Sequence, residues 1–568
     1  MKKTIILGKI FAKPLIKDVL LCGLLMVIFA TVAFYNLGDS NYPRTEYVAG
    51  SESVGIDFGQ PVDIRFVIYM YGGDIDSGFR LYSWDGAENY TLMLEETNSA
   101  RFHWLAYPFE AVTRYALLEP VSPGISIVEL GFYDSNGSLV KPVDYSEGAE
   151  FMFDEPELFP EKNTSYFNDI VFDEIFHATT AYDFIHSLSP FEWTHPPLGK
   201  SIIALGIRIF GMTPFGWRFM GALFGILMII PVYALGKRMF GSRWIAFIAA
   251  FAFAFDFMHF VQARIATIDT FLVTFIVCMY LFMYEYIRGK PENRLSPKSL
   301  VCLGLSGFFM GLAISVKWSA VFAGIGLFVI FVLAWFDSAA HDDKPDNKGT
   351  FARDFIITII YGVLFFIIVP MVIYLLSYIP FMRASSLNWP NGIIAEQKGM
   401  LNYHMYLAED TDFQTSWWTW PLNMYPVYYY RYATEGGAIT GAHTFGNPAV
   451  WWGGLLALIW CAKRWIADKD RIARFLCIAW IAQILPWAII SRASYTYHYY
   501  PCVPFLALSG AYFIKTRKEK RQLWYALGTC AIVFVLFVMF YPVLSSTFLA
   551  DKDYVTWLQW LPGWDFIG

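Results

Sequence analysis

Long apolar runs, separated by short charged connections, account for most of this chain. They centre on residues 19–37, 217–236, 244–262, 265–287, 299–316, 318–336, 354–379, 448–462, 473–490, 498–514 and 523–545. A run of about 20 apolar residues crosses a hydrocarbon core of roughly 30 Å as a helix, so the pattern predicts about eleven transmembrane helices. The run over 197–210 is shorter and carries Lys200 and Arg208. Between the first run and this one the period changes. "VDIRFVIYMY", "FRLYSWDG", "NYTLMLEE" and "ISIVELGFYDSNGSLV" alternate apolar and polar positions, with turn signals at Asp85-Gly86 and Asn136-Gly137. That period predicts short strands, and the 47–159 stretch reads as a β-sandwich-like insert.

Composition agrees with a polytopic α-helical membrane protein. Of 568 residues 56% are hydrophobic, 19% aromatic and only 16% charged, against about 25% charged in a soluble domain. The first run is too long for the core of a signal peptide and no small-residue cleavage site follows it, so a retained helix is expected. The net charge of −6 is uninformative, and nothing in the chain calls for nucleic acid. All seven cysteines lie in or beside apolar runs, leaving the insert without a disulfide.

The placement of positive charge sets an orientation. Basic clusters stand at the N-terminus (Lys2, Lys3, Lys9, Lys13, Lys17), in "GKRMFGSR", "IRGKPENR", "AKRWIADKDR" and "KTRKEKR". All fall on the cytoplasmic side if 197–210 lies along the opposite interface instead of spanning. The expectation is a multi-pass protein of the cell membrane, N-terminus cytoplasmic, with the unusual chemistry gathered extracytoplasmically.

That chemistry includes the stretch "VFDEIFHATTAYDFIHSLSPFEWTHPPLGK". Asp173 begins a stretch in which Ile175, Phe176, Ala181, Phe184 and Ile185 are expected to bury one side. The acid pair is either a solvated face or a general base for a hydroxyl. "THPPLGK" is a proline-fixed entry into a helix or plain punctuation. Arg218 and Arg264 stand at helix mouths, where a charge is expensive. Arg264 either pairs structurally with Asp256 or Asp269, or binds a phosphate with its planar fork. Tyr82, Trp84 and Trp104 either stack on sugars or fill a core. "SWWTWPLNMYPVYYYRY" reads as an interfacial belt. His404 and His498 lack ligand-spaced partners, so no metal is assigned.

In order, "FDE" with His177, "HPPLGK", "WRFMGALFG", "FDFMHFVQARIATIDTF", "GLAISVKWSAVF", "MLNYHMYL", "SWWTWPLNMYPVYYY" and "YHYYPCVPFLAL" resemble the protein O-mannosyltransferases and their bacterial relatives. The resemblance covers roughly residues 172–508. It implies a glycosyltransferase C-type membrane fold and transfer of a sugar, typically mannose, from a polyprenyl-phosphate carrier to a hydroxyl, with inversion. It implies Asp173 as catalytic acid of an Asp-Glu motif with Glu174, and Arg218 and Arg264 on the donor face. It also implies that the loop over 402–432 closes over the donor. Three departures stand out. The insert is not part of the family's common core, the β-trefoil insert of fungal and animal members is missing, and Tyr425 stands where relatives often carry arginine.

A leaving lipid phosphate needs cations, for which Arg218, Arg264, Lys317 and Arg492 are candidates. The acceptor hydroxyl needs a base, Asp173. Glu174, His177, His195, Asp269, His404, Trp418 and His498 are candidates for positioning acceptor or donor. No nucleotide motif is present and no cofactor is expected, since the lipid-linked sugar is itself the activated donor. The expected partners are that donor, a protein or glycan acceptor and the bilayer. A transferase acting on a wall polymer or glycolipid is the alternative. A transporter predicts polar residues at the bilayer midplane rather than at one face, and a membrane-anchored sugar-binding protein leaves the helix-mouth arginines unexplained. Expected boundaries are 1–44 (cytoplasmic segment and first helix), 45–160 (insert), 161–216 (catalytic loop), 217–545 (helical core with outer loop 380–448) and 546–568 (extracytoplasmic tail).

Overall fold

A computed structural model describes residues 16–72, 78–86, 88–96, 101–160, 164–289, 294–339, 348–385, 389–406 and 413–568. Lys2, Lys3, Lys9, Lys13, Lys290 and the 407–412 part of the donor loop lie outside the described residues. The chain forms two compact units. One comprises Asn36–Tyr182 with Gly206–Trp217; the other comprises the residues up to Tyr35, Asp183–Leu205 and Arg218–Gly568. The Asp-Glu motif thus belongs to the same unit as the insert, not to a separate segment beginning at 161.

Among the described residues, eight helices are long and apolar enough to cross a bilayer: Ile16–Phe34, Pro214–Phe240, Asp269–Ile287, Pro297–Val316, Ala320–Asp337, Ala352–Ala384, Arg471–Ile489 and Glu519–Ser545. Arg243–Ala254 and Phe257–Ala263 make a ninth if counted as one span bent by 63°. At the bend Asp256 caps the second piece, accepting from the Met258 and His259 amides at 3.1 and 3.3 Å. By length and apolarity, eight or nine of the eleven expected runs stand out among the described residues. The other two form helices of a different quality. Pro448–Asp468 is diluted by Trp451, Trp452, Trp460 and Trp465 and ends on charge. The 498–514 run divides into a 3-10 turn, Thr496–Cys502, and a helix of only 13 residues, Val503–Lys515. The 197–210 run is a 13-residue helix, Leu198–Phe210, about 20 Å long at 1.5 Å per residue and too short to span.

Charge pairs gather successive helix ends. Asp18, opening the first helix, meets Lys237 at 3.0 Å. Glu285 meets Arg238 at 3.0 Å, Asp337 meets Arg474 at 2.5 Å, and Asp470 meets Arg464 at 2.8 Å. The basic connections thus share one end of the bundle. Elsewhere the packing depends on small residues. A Cβ on Gly307 would lie 2.0 Å from the Phe365 carbonyl oxygen, so only glycine lets these helices approach.

In the other unit β1 (Tyr47–Val48), β2 (Val54–Tyr71), β3 (Phe79–Trp84), β4 (Tyr90–Glu96), β5 (Trp104–Pro120), β6 (Ser126–Asp134), β7 (Leu139–Val140) and β8 (Asp144–Tyr145) form one antiparallel sheet. Its order is β1-β6-β2-β5-β3-β4, with β7 on β6 and β8 on β2. The expected sandwich of two sheets is thus a single hydrogen-bonded sheet. Two long strands make this possible. β2 has 18 residues and β5 has 17, and their register shifts between Asp57 and Val62 and again between Ile64 and Phe66. Such irregularities bend a strand, and one core containing Phe58, Val67, Phe109 and Phe132 runs through both parts. Trp104 is 3% exposed and packs on Phe159, so it belongs to the core. Trp84 stacks on Tyr90 with ring centres 5.8 Å apart.

Candidate active site

The acid pair divides its labour. Glu174 is fully buried and its carboxylate accepts the Val171 amide at 3.0 Å. This folds the incoming chain back on the first turn of Glu174–His186, with Phe172 at φ 50°. Asp173 stands at the helix entry, only partly buried, and its carbonyl accepts the Phe176 and His177 amides at 3.1 Å. Upstream, Asp169 binds the Trp104 amide at 3.3 Å and the His103 ring at 2.9 Å, tying the approach to β5. Glu174 is thus built as a positioning group, and Asp173 is the carboxylate left partly open. The helix buries only part of the apolar side expected of it. Phe176 is 45% exposed, whereas Glu174, His177, Thr179, Thr180 and Asp183 are buried. Ala181 and Phe184 are buried as expected.

In the helical unit, a polar cluster surrounds the Pro-Pro turn. Lys200 is fully buried and donates to the Glu192 carboxylate, to the Glu192 carbonyl at 3.0 Å and to the His195 carbonyl at 2.9 Å. His195 Nδ1 lies 3.1 Å from Glu192 Oε1, and the Thr194 hydroxyl bonds the same oxygen. "EWTHPPLGK" therefore folds around one internal ion pair. His404 reaches this turn from the helix Asn391–Tyr406, donating from Nε2 to the Thr194 carbonyl at 2.8 Å. Its Nδ1 is buried without a partner, and the two imidazole centres are 5.5 Å apart. Burial lowers both: His404 falls to about 4, helped by the positive charge of Arg492, and His195 falls despite Glu192. Burial thus favours the neutral form of both rings, and the unpartnered His404 Nδ1 has a lone pair to offer a hydroxyl. Glu396, on the same helix as His404, is pushed up to about 7 by burial, against the pull of Lys200. Gln397 anchors that helix, accepting from Tyr374 at 2.6 Å and donating to Tyr378 at 2.9 Å.

The four cations proposed for a phosphate meet different fates. Arg264 is 2% exposed. Its Nη1 donates to the carbonyls of Val32, Ala33 and Tyr35 at 3.1, 3.0 and 2.7 Å, and Nη2 to that of Ser545 at 3.2 Å. The fork closes the last turns of two helices, which otherwise leave carbonyls unsatisfied. These carbonyls give Arg264 a structural role, and no ion pair joins it to Asp256 or Asp269 among the described residues. Arg264→Ala is expected to destabilise the protein by about 3 kcal/mol or more, since several buried carbonyls lose a charged donor. The folded fraction should keep its affinity for donor; thermal unfolding and donor binding on the same preparation check both.

Lys317 is held by Asp269, with Nζ at 3.0 and 3.3 Å from the two carboxylate oxygens, and it lies 5.6 Å from the Tyr497 ring centre. Arg218 is fully buried in the first turns of Pro214–Phe240. Arg492 has no carboxylate partner among the described residues. It lines a cleft of about 590 Å³ together with Ser416, Trp417, Trp418, Trp487 and Ser491. Trp418 is 56% exposed there. His498 is buried between Trp420 and Trp487, with its Nδ1 hydrogen-bonded to the Tyr495 backbone. It packs against Trp487, one of the residues lining the cleft.

Sequence reasoning passed over Glu192, Glu396 and the role of Lys200. Two opposite charges flanking "THPP" were the available signal for the Glu192–Lys200 pair. The cleft offers a cation and indole faces, which suit a phosphate and a sugar ring. The neutral imidazoles suit hydroxyls.

Two family models match in succession. Residues 210–383 match "Dolichyl-phosphate-mannose-protein mannosyltransferase", and 391–564 match "C-terminal four TMM region of protein-O-mannosyltransferase". The chain is similar to the polyprenol-phosphate-mannose–protein mannosyltransferase of Corynebacterium glutamicum, 26% identical over 466 residues, covering 69% of this chain and 88% of the relative. It is similar to the protein of the same name in Mycobacterium tuberculosis, 27% identical over 463 residues, covering 69% of this chain and 86% of the relative. Among solved structures it is similar to the protein O-mannosyltransferase Pmt1-Pmt2 complex of S. cerevisiae bound to the sugar donor. The TM-score is 0.59 at 13% identity, over 70% of this chain and 89% of the other, a likeness of fold.

Proposed function

The chain belongs to the protein O-mannosyltransferase family, with its glycosyltransferase C-type membrane fold, and on that premise we propose that it moves mannose from a polyprenyl-phosphate carrier to protein hydroxyls. The carrying observation is the succession of both family models along the helical unit, alongside curated relatives of that one activity. In the reaction Asp173 takes the proton of the acceptor hydroxyl, whose oxygen attacks the anomeric carbon as the bond to phosphate breaks. Arg492 balances the charge developing on the departing lipid phosphate. Glu174 holds the backbone that presents Asp173, and the His195 and His404 rings bind sugar or acceptor hydroxyls. The helix ends joined by Asp18–Lys237, Glu285–Arg238 and Asp337–Arg474 face the cytoplasm in this reading, following the positive-inside rule. The reaction then takes place extracytoplasmically.

The test is transfer by the purified protein, reconstituted in liposomes with radiolabelled polyprenyl-phosphate mannose, a protein mixture and a glycolipid fraction. Label released from protein by mild alkaline elimination is the expected result. Label confined to glycolipid would assign the acceptor to the alternative class, and no transfer at all would remove the activity.

A further inference from the structure

β6 is the most completely buried strand of the sheet, and its sequence "SIVELGFYD" places one carboxylate, Glu129, in the middle of an apolar run. Glu129 is 0% exposed. Its Oε1 accepts the Glu155 amide at 3.1 Å, and its Oε2 is buried with no partner. An unsatisfied buried carboxylate oxygen costs several kcal/mol in general, so such an atom usually has an occupant. The chain returns beside it between two 3-10 turns, Ala149–Met152 and Pro156–Leu158, bringing Asp154 and Glu155. One oxygen from each of Glu129, Asp154 and Glu155 lies within 4.8 Å of the others. Two oxygens bound to calcium at about 2.4 Å can be at most about 4.8 Å apart. Among the described residues none of the three carboxylates forms an ion pair, and Asp154 is exposed, leaving an open approach.

We propose that Glu129, Asp154 and Glu155 form a divalent-cation site of the calcium type in the sheet unit. All three donors are carboxylate oxygens, the donors that select hard cations over zinc or copper. The remaining positions fall to water at the Asp154 side. Glu155 accepts the Arg44 and Thr45 amides at 2.7 and 3.2 Å, and the Thr45 hydroxyl bonds Asp154 at 2.8 Å. An ion bound there fastens the segment that enters the sheet to the segment that leaves it toward Asp173. A proton is the rival occupant: with no cation, burial and the charges of Asp154, Glu155 and Glu157 push Glu129 up to about 9. A neutral Glu129 donating to a neighbour would satisfy the same atom. This inference is independent of the transferase reading.

Thermal unfolding of the full-length protein in uncharged detergent, with chelator or with millimolar calcium, separates the two occupants. The site predicts an upward shift in the transition on the order of 2–4 °C with calcium, half-saturating at roughly 0.1–1 mM. Glu129→Gln and Asp154→Asn should both lose that shift. Asp154 is exposed, so its variant keeps the fold even if Glu129→Gln does not. Equilibrium dialysis with radioactive calcium should show one ion per wild-type chain, absent from Asp154→Asn. Absence of both shift and bound calcium in the wild type overturns the proposal in favour of a protonated Glu129. A calcium shift that survives in Asp154→Asn overturns it equally, by placing the ion elsewhere.

Discussion

Asp173→Asn is expected to lower turnover by at least about 100-fold, with normal insertion and an unchanged unfolding temperature. The substitution keeps size and shape but removes the proton affinity of the carboxylate, and general base catalysis is typically worth roughly 10²–10⁴-fold. Stability should survive because the replacement is isosteric and the position is only partly buried. Glu174, not Asp173, bonds the Val171 amide, and Asp173 contributes its backbone carbonyl to the first turn. Glu174→Gln should therefore be the mirror case, losing stability as well as activity. Initial rates under saturating donor, with thermal unfolding alongside, separate the two. A wild-type rate in Asp173→Asn would remove the residue from the chemistry.

Arg492→Ala is expected to weaken donor binding by roughly 30-fold, about 2 kcal/mol for a charge-assisted contact that is only partly buried. Arg492→Lys should recover part of that loss, since the charge remains and the bidentate fork is gone. Direct binding of a non-hydrolysable polyprenyl phosphonate is the suitable readout. It should respond to Arg492 but not to Arg264, whose guanidinium is occupied by the carbonyls of two helix ends. Equal losses in both variants would mean that the cleft beside Trp418 is not where the phosphate sits.

These two arginines mark the limit of what the sequence discloses. Apolar run length located the helices, because a bilayer demands a fixed length of apolar chain. Their ends came within a few residues of expectation. The sequence also offers Arg264 and Arg492 alike, as candidate cations for the lipid phosphate. It cannot disclose that the carbonyl of Ala33, 231 positions away, and that of Ser545, 281 positions away, converge on Arg264. The same holds for the insert. Period-two alternation identified strands, but alternation is identical in two stacked sheets and in one bent sheet, and the register shifts of β2 decide between them. The amphipathic reading of Glu174–His186 holds in part: Ala181 and Phe184 are buried, but so are Glu174, His177 and Thr180, and Phe176 is exposed. Two of the eleven runs, 448–462 and 498–514, are less uniformly apolar, the first carrying several tryptophans and the second a 3-10 turn.

A carboxylate acting as base on the acceptor implies a single displacement at the anomeric carbon. The most direct measurement is the anomeric configuration of mannose in the product peptide, read by nuclear magnetic resonance against that of the donor. The configuration should be inverted, because the hydroxyl enters opposite the departing phosphate. Retained configuration would require a mannosyl-enzyme intermediate on a carboxylate nucleophile, and would contradict the role of Asp173 as general base.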